Sequence, residues 1–186
     1  VKLNPNPALR AMVLLGVNAG YGNADCGTLP RSALDLTGGW VNYFRPKTGI
    51  TRRCPLWPET VAAIREALAA RPEPKGDTDA DLVYVTVRGG SWHKATDDNP
   101  ISKETRKLLD ALGIGGNKNF YALRHVFETI VGEAKDQIAV DQVMGHAKDD
   151  MASTYRERVG DDRLRAVAEH VRGWLFVKGK PATKAG

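Results

Sequence analysis

Cysteine is scarce in this chain: two thiols, Cys26 and Cys54, stand among 186 residues. A single pair adds little to a domain of that size. This excludes a disulfide-built secreted scaffold and points to a reducing compartment, the cytoplasm. Two lone thiols are also too few for a zinc site, and no metal or other cofactor is expected. Long apolar runs are missing too. The longest, AMVLLGV, falls far short of the ~20 residues needed to cross a bilayer, and no secretory leader pattern precedes it, so no membrane partner is expected. Internal repeats are absent. The chain opens at Val1, in a polar loop and without a methionine, and the expectation is a piece of a longer protein.

What is present suffices for a core. Apolar residues make up 42% of the chain, which fits one large domain or a compact domain with an extra arm. The net charge is +5 and the pI about 9.3, which favours polyanionic partners. The basic residues gather in three places: Arg45 to Arg53, then Lys103 with Arg106 and Lys107, then Arg156 to Arg165. They form either one basic face or ordinary solvated surface, and charge alone does not choose.

Leu9, Met12, Val13 and Gly16 recur at helical spacing after an NPNP turn, and GYGNADCG ends that helix. TLPRSALDL holds a short helical turn. GGWVNYFRP alternates as a strand, PKTG turns, and ITRRCPLW returns, which predicts a β-hairpin. PETVAAIREALAA reads as a helix with Pro58 early, Glu59 in the first turn, and Val61, Ile64 and Leu68 on one face. RPEPKGDTDAD and RGGSWHKATDDNP read as loops, and DLVYVTV between them is the clearest strand. ISKETRKLLDALGI predicts a helix capped by Ser102 and stopped by a glycine. From Asn119 to Phe176 the pattern is almost wholly helical, and its last segment sets Leu164, Val167, Val171 and Leu175 on one side. The predicted class is α+β, mainly helical, with one small antiparallel sheet near the N-terminal part. The predicted domain covers residues 1–176, and 177–186 reads as a flexible tail.

Three motifs then fall in order. PKTG sets Lys47 at the hairpin tip, YALRHVFET holds Arg124 near a helix start, and VMGHAKDDMASTYRERV holds His146 and Tyr155. The intervals are 22 residues from Arg124 to His146 and 9 from His146 to Tyr155. In this order and spacing the chain resembles the catalytic domain of the tyrosine recombinases, the phage integrase family, over roughly Asn4 to Leu175. The resemblance implies double-stranded DNA as partner and an enzyme that cuts it through a 3′-phosphotyrosyl link, freeing a 5′-hydroxyl and rejoining the strand to a new partner. It also implies self-association into a tetramer on DNA. The family's separate N-terminal DNA-clamping domain is expected to lie outside this piece.

The residue types suit that chemistry. A phosphodiester under attack gathers charge on its non-bridging oxygens, and Arg124 offers a planar fork that matches two of them. Tyr155 would be the nucleophile. His146 can donate to the phosphate or move a proton, and Lys47 can protonate the leaving 5′-oxygen. No metal or nucleotide is needed, because the covalent bond conserves the energy of the broken one.

Two positions depart from the family pattern. Its earlier arginine belongs to a segment of the form T-G-x-R-x-x-E, which here reads A-G-Y-G-N-A-D: Gly20 and Asp25 fit, but Gly22 replaces the arginine. The family's H-x-x-R becomes Y-A-L-R, so Tyr121 stands where a histidine is usual. A phenol still hydrogen-bonds a phosphate, whereas losing one preorganised donor commonly costs roughly 100- to 1,000-fold in rate. Either another cation replaces it, with Arg45, Arg52 and Arg53 the nearest candidates, or the domain binds DNA with cleavage impaired or lost. Plainer readings stand beside these. Tyr155 could be a half-buried helix tyrosine, His146 a helix-closing residue, Arg124 a partner of Glu128, and Lys47 a solvated tip. His125 reads as a satisfied core residue or a support behind the reacting groups rather than a reactant, and Trp92 as a packed loop residue beside His93 and Lys94, which could touch DNA. A third reading, an unrelated helical regulator, would scatter the four candidates in space.

Overall fold

The computed structural model describes residues 6–45, 47–94, 96, 99–146 and 159–176. Tyr155 and the tail beyond Phe176 lie outside the described residues. Helix α1 (Pro7–Ala19) starts where the Asn6 side chain accepts from the Ala8 N–H at 2.8 Å and proline takes the first position. It ends at Gly20, whose φ of 65° lets its N–H turn back onto the Gly16 carbonyl. Of the residues whose spacing predicts the helix, Leu9, Met12 and Gly16 are buried and Val13 is only partly so; Leu15 is buried beside them. A single turn, α2 (Asn23–Gly27), follows.

The sheet is three-stranded and antiparallel, β1 (Leu34–Asp35), β2 (Trp40–Phe44) and β3 (Thr51–Pro55) in that order. Tyr43 pairs with Arg52 and Val41 with Cys54. Strand alternation turns Val41, Tyr43, Arg52 and Cys54 inward, while Asn42, Phe44 and Thr51 face out and Arg53 sits between. The hairpin predicted around PKTG is present, and its tip closes through N–H groups of Thr48 and Gly49 on the Arg45 carbonyl.

Helix α3 (Pro58–Ala69) packs on α1. Its most buried positions are Thr60, Ala63, Ile64 and Ala67; the predicted Val61 and Leu68 are only partly buried. The loop after it contains one short helical turn, α4 (Asp77–Ala80). DLVYVTV forms no strand of the sheet. Leu82 and Val85 make only isolated bridges, to Pro30 and Ser91, while Val83, Tyr84 and Val85 are all buried. Its β-branched residues signal an enclosed, extended chain; a ladder also needs a neighbouring strand, and sequence pattern carries nothing about that. Helix α5 (Pro100–Ala111) is capped by Asn99, whose side chain accepts from the Ile101 N–H, and not by Ser102. Proline at the first position fixes the start three residues earlier than the serine implied.

Helices α6 (Ala122–Val131), α7 (Gln137–Met144) and α8 (Asp161–Phe176) complete the described fold. Leu164, Val167 and Val171 of α8 are buried, but Leu175 in its last turn is exposed. Three arginine–carboxylate pairs fix α8: Arg172 with Glu59 of α3, Arg53 of β3 with Asp161, and Arg163 with Asp136. Asp136 also caps α7 by accepting from the Ala139 N–H, and its hydrogen bonds from Arg163 hold its carboxyl below the ordinary range, keeping it ionised as a cap. Buried Asn18 ties α1 to the sheet, donating to the Pro55 carbonyl and accepting from the Trp57 N–H. The C-terminal ends of α1 and α7 and the start of α6 thereby meet beside the hairpin. No described helix is long and apolar enough to cross a membrane.

Candidate active site

Arg124 sits in the first turn of α6 and is 2% exposed. Its Nη1 donates to the Gly20 carbonyl at 2.6 Å and its Nη2 to the Met144 carbonyl at 3.2 Å. These oxygens cap the C-terminal ends of α1 and α7, where the helix dipole is negative, so the fold matches a buried cation with two helix ends instead of a carboxylate. Burial first, then the positive charges of Arg45 and Arg52, push its proton affinity down, but a guanidinium remains charged at any working pH. Arg124 does not pair with Glu128, which instead lies 3.9 Å from the exposed imidazole of His125. His125 is therefore a surface residue and not a satisfied core group.

His146 follows Gly145, the left-handed residue that closes α7 at φ 63°. Its Nε2 lies 3.1 Å from Arg124 Nη2 and its Nδ1 3.5 Å from Asp141 Oδ1. An imidazole with its proton on Nδ1 fits both contacts, with Arg124 donating to Nε2. Gln137 donates to the same Asp141 oxygen at 2.8 Å, which steadies the carboxylate behind the histidine. Asp141, the carboxylate facing His146, was missed by sequence reasoning; an acid four residues before a Gly-His pair gives no signal until α7 is known to end there.

The hairpin is clamped to this turn. Arg45 Nη1 and Thr48 Oγ both donate to the Gly145 carbonyl, at 3.2 and 3.0 Å, and the Cys54 thiol donates to the Val143 carbonyl. Lys47 is exposed at the tip, directly before Thr48. Both cysteines are free and buried, and burial pushes the Cys54 thiol up to about 11, so it serves as packing and not as a reactive group. A Cβ on Gly145 would come within 2.6 Å of the Arg52 side chain and 3.0 Å of Arg45 Cδ. Gly145→Ala is therefore expected to cost about 2–4 kcal/mol, adding left-handed strain to overpacking. Chemical denaturation of the variant checks this.

The three hairpin arginines part company. Arg52 points inward, fully buried, with its guanidinium 3.8 Å over the Tyr21 ring and Nη2 3.3 Å from Asp25 Oδ1. Asp25 in turn accepts from the Gly22 N–H at 2.9 Å. Arg53 turns away, bidentate on Asp161 and stacked 3.8 Å over Trp40. Tyr121 is 43% exposed and borders position 22: a Cβ there would lie 3.5 Å from its ring. Trp92 is buried, as a packed loop residue. The structure thus gathers Arg124, His146, Arg45 and Arg52 around the end of α7, with Lys47 at the adjoining hairpin tip. It leaves Arg53 and His125 outside that group.

The chain and its fold are similar to known proteins. The description "Phage integrase family" matches residues 4–159. Comparison with curated proteins gives no match. Among solved structures, the chain is similar to XerA recombinase, with 24% identity and a TM-score of 0.62 over 90% of this chain and 59% of that one. It is also similar to XerH recombinase in a post-cleavage complex with palindromic difH substrate, with 18% identity and a TM-score of 0.63 over 91% of this chain and 47% of that one. A third is Tn1549 transposon integrase with circular intermediate DNA, with 17% identity and a TM-score of 0.59 over 84% and 55%. The chain thus spans less than two thirds of the length of these relatives. At such identities the structures speak for the fold alone, a mainly helical one with a small antiparallel sheet that is shared with these recombinases and integrases. With the family description matched over most of its length, the chain belongs to the phage integrase family.

Proposed function

We propose that this chain is the strand-cleaving and rejoining domain of a site-specific tyrosine recombinase that acts on double-stranded DNA in the cytoplasm. The observation that carries the reading is the buried Arg124 guanidinium, anchored on two helix ends with the His146 imidazole 3.1 Å away. Preorganised donors of this kind stabilise charge that develops in a transition state without reorganising as it forms. Arg124 would bind the non-bridging oxygens of the scissile phosphate. The Tyr155 phenol would give its proton to the His146 imidazole as its oxygen attacks phosphorus, forming the phosphotyrosyl bond while the bond to the 5′-oxygen breaks and Lys47 protonates that oxygen. A phosphate oxygen arriving beside Arg124 would compete with His146 for its Nη2 donor and so free the imidazole Nε2 to take the Tyr155 proton. Religation runs the same steps backward with the 5′-hydroxyl of a new strand. Exchange between two duplexes implies several subunits on DNA, and a tetramer is part of the proposal.

Gly22 favours a second reading, a DNA-binding domain of the same family with weakened cleavage, because no guanidinium arises from that segment. One experiment separates the two. The full-length protein is incubated with a nicked suicide duplex carrying its target site, and protein–DNA adducts are resolved on denaturing gels. A covalent adduct with release of a 5′-hydroxyl fragment is expected. Retained DNA binding with no adduct would favour the second reading.

A further inference from the structure

Nothing in the backbone at position 22 calls for glycine. Its φ of −93° and ψ of −175° suit any residue, and a Cβ would make only ordinary contacts, 3.5 Å to Tyr121 and 3.6 Å to Asp25. The missing guanidinium is thus a matter of chemistry and not of strain. The three nearby arginines on the hairpin differ in what they already hold. Arg53 is spent on Asp161 and Trp40. Arg52 is 0% exposed and already faces Asp25 and the Tyr21 ring, so no incoming oxygen can reach it without unpacking the core.

Arg45 is different. It keeps 8% exposure and has no carboxylate partner among the described residues, whereas Arg52, whose three guanidinium nitrogens lack a hydrogen-bond acceptor just as the Arg45 Nε–H does, is sealed from solvent against Asp25. It donates to the Gly145 carbonyl while Arg124 donates to the Met144 carbonyl, so two guanidinium groups take consecutive oxygens at one helix end. His146 comes next in the chain. After burial itself, the charge of Arg45 acts most strongly against that of Arg124. Two cations held close in a low-dielectric site repel, and an anion shared between them removes that repulsion.

We propose that Arg45 is a catalytic residue, the second phosphate-binding guanidinium of this site, donating to a non-bridging oxygen of the scissile phosphodiester in the role a side chain at position 22 would otherwise fill. The inference rests on the cleavage reading above. The test measures single-turnover adduct formation on the suicide duplex by the full-length protein, with thermal melting run on each variant. Arg45→Ala is expected to slow cleavage by roughly 100- to 1,000-fold. Arg45→Lys, which keeps the charge but loses the fork, should fall between the alanine variant and the parent. The double variant Gly22→Arg/Arg45→Ala should recover at least about tenfold of the loss, because a guanidinium again faces the phosphate. A residue that merely braces the Gly145 turn would gain nothing from an arginine at position 22. An Arg45→Ala rate within about threefold of the parent, or a loss that Gly22→Arg leaves untouched, overturns the inference. If the parent protein itself forms no adduct, the cleavage reading falls and takes this inference with it.

Discussion

Alanine at position 124 is expected to lower strand cleavage by at least about 1,000-fold, more than the removal of a single hydrogen-bond donor usually costs. Two losses combine. The transition state loses a bidentate cation, and the Gly20 and Met144 carbonyls lose the groups that tie α1 to α7. An unsatisfied buried polar group costs about 1–3 kcal/mol, so the alanine variant should also melt earlier. Arg124→Lys separates the two effects. One ammonium keeps the charge but cannot present two parallel donors to a phosphate while holding two carbonyls. About 100-fold slower cleavage with a smaller loss of stability is expected. Single-turnover rates on the suicide duplex, set beside melting curves, give both quantities.

Tyr155→Phe should abolish the covalent adduct, at least about 10,000-fold, since a phenyl ring offers no nucleophilic oxygen. DNA affinity should stay within about twofold, because binding is dominated by phosphate contacts from cations that this change leaves in place. Gel-shift titration at fixed salt and the adduct assay measure the two separately. An adduct that persists in Tyr155→Phe would assign the nucleophile to another residue.

Much of the fold is legible in the sequence because its signals are local. Asn6 and Pro7 start α1, Gly20 ends it, and alternation on either side of PKTG writes the hairpin. What is illegible depends on partners. DLVYVTV has strand composition but makes only isolated bridges among the described residues. His125 stands next to Arg124 but faces solvent, because successive helix residues point about 100° apart. The arginine question is half legible. Strand alternation alone places Arg52 and Arg53 on opposite faces, yet only the tertiary fold shows that Asp161 takes one, that Asp25 and Tyr21 enclose the other, and that Arg45 reaches the end of α7. The same is true of Arg124. Its motif marks it in the sequence, but its means of burial, two helix C-termini in place of an acid, depends on contacts 104 and 20 residues away.

A crystal structure of the full-length Tyr155→Phe protein on an uncleaved target duplex tests the central claim most directly. The account predicts both terminal nitrogens of Arg124 within about 3 Å of oxygens on one backbone phosphate, and the ring at position 155 against the same phosphorus. A duplex seated elsewhere, with Arg124 still enclosed and no phosphate within reach of it, would contradict the account.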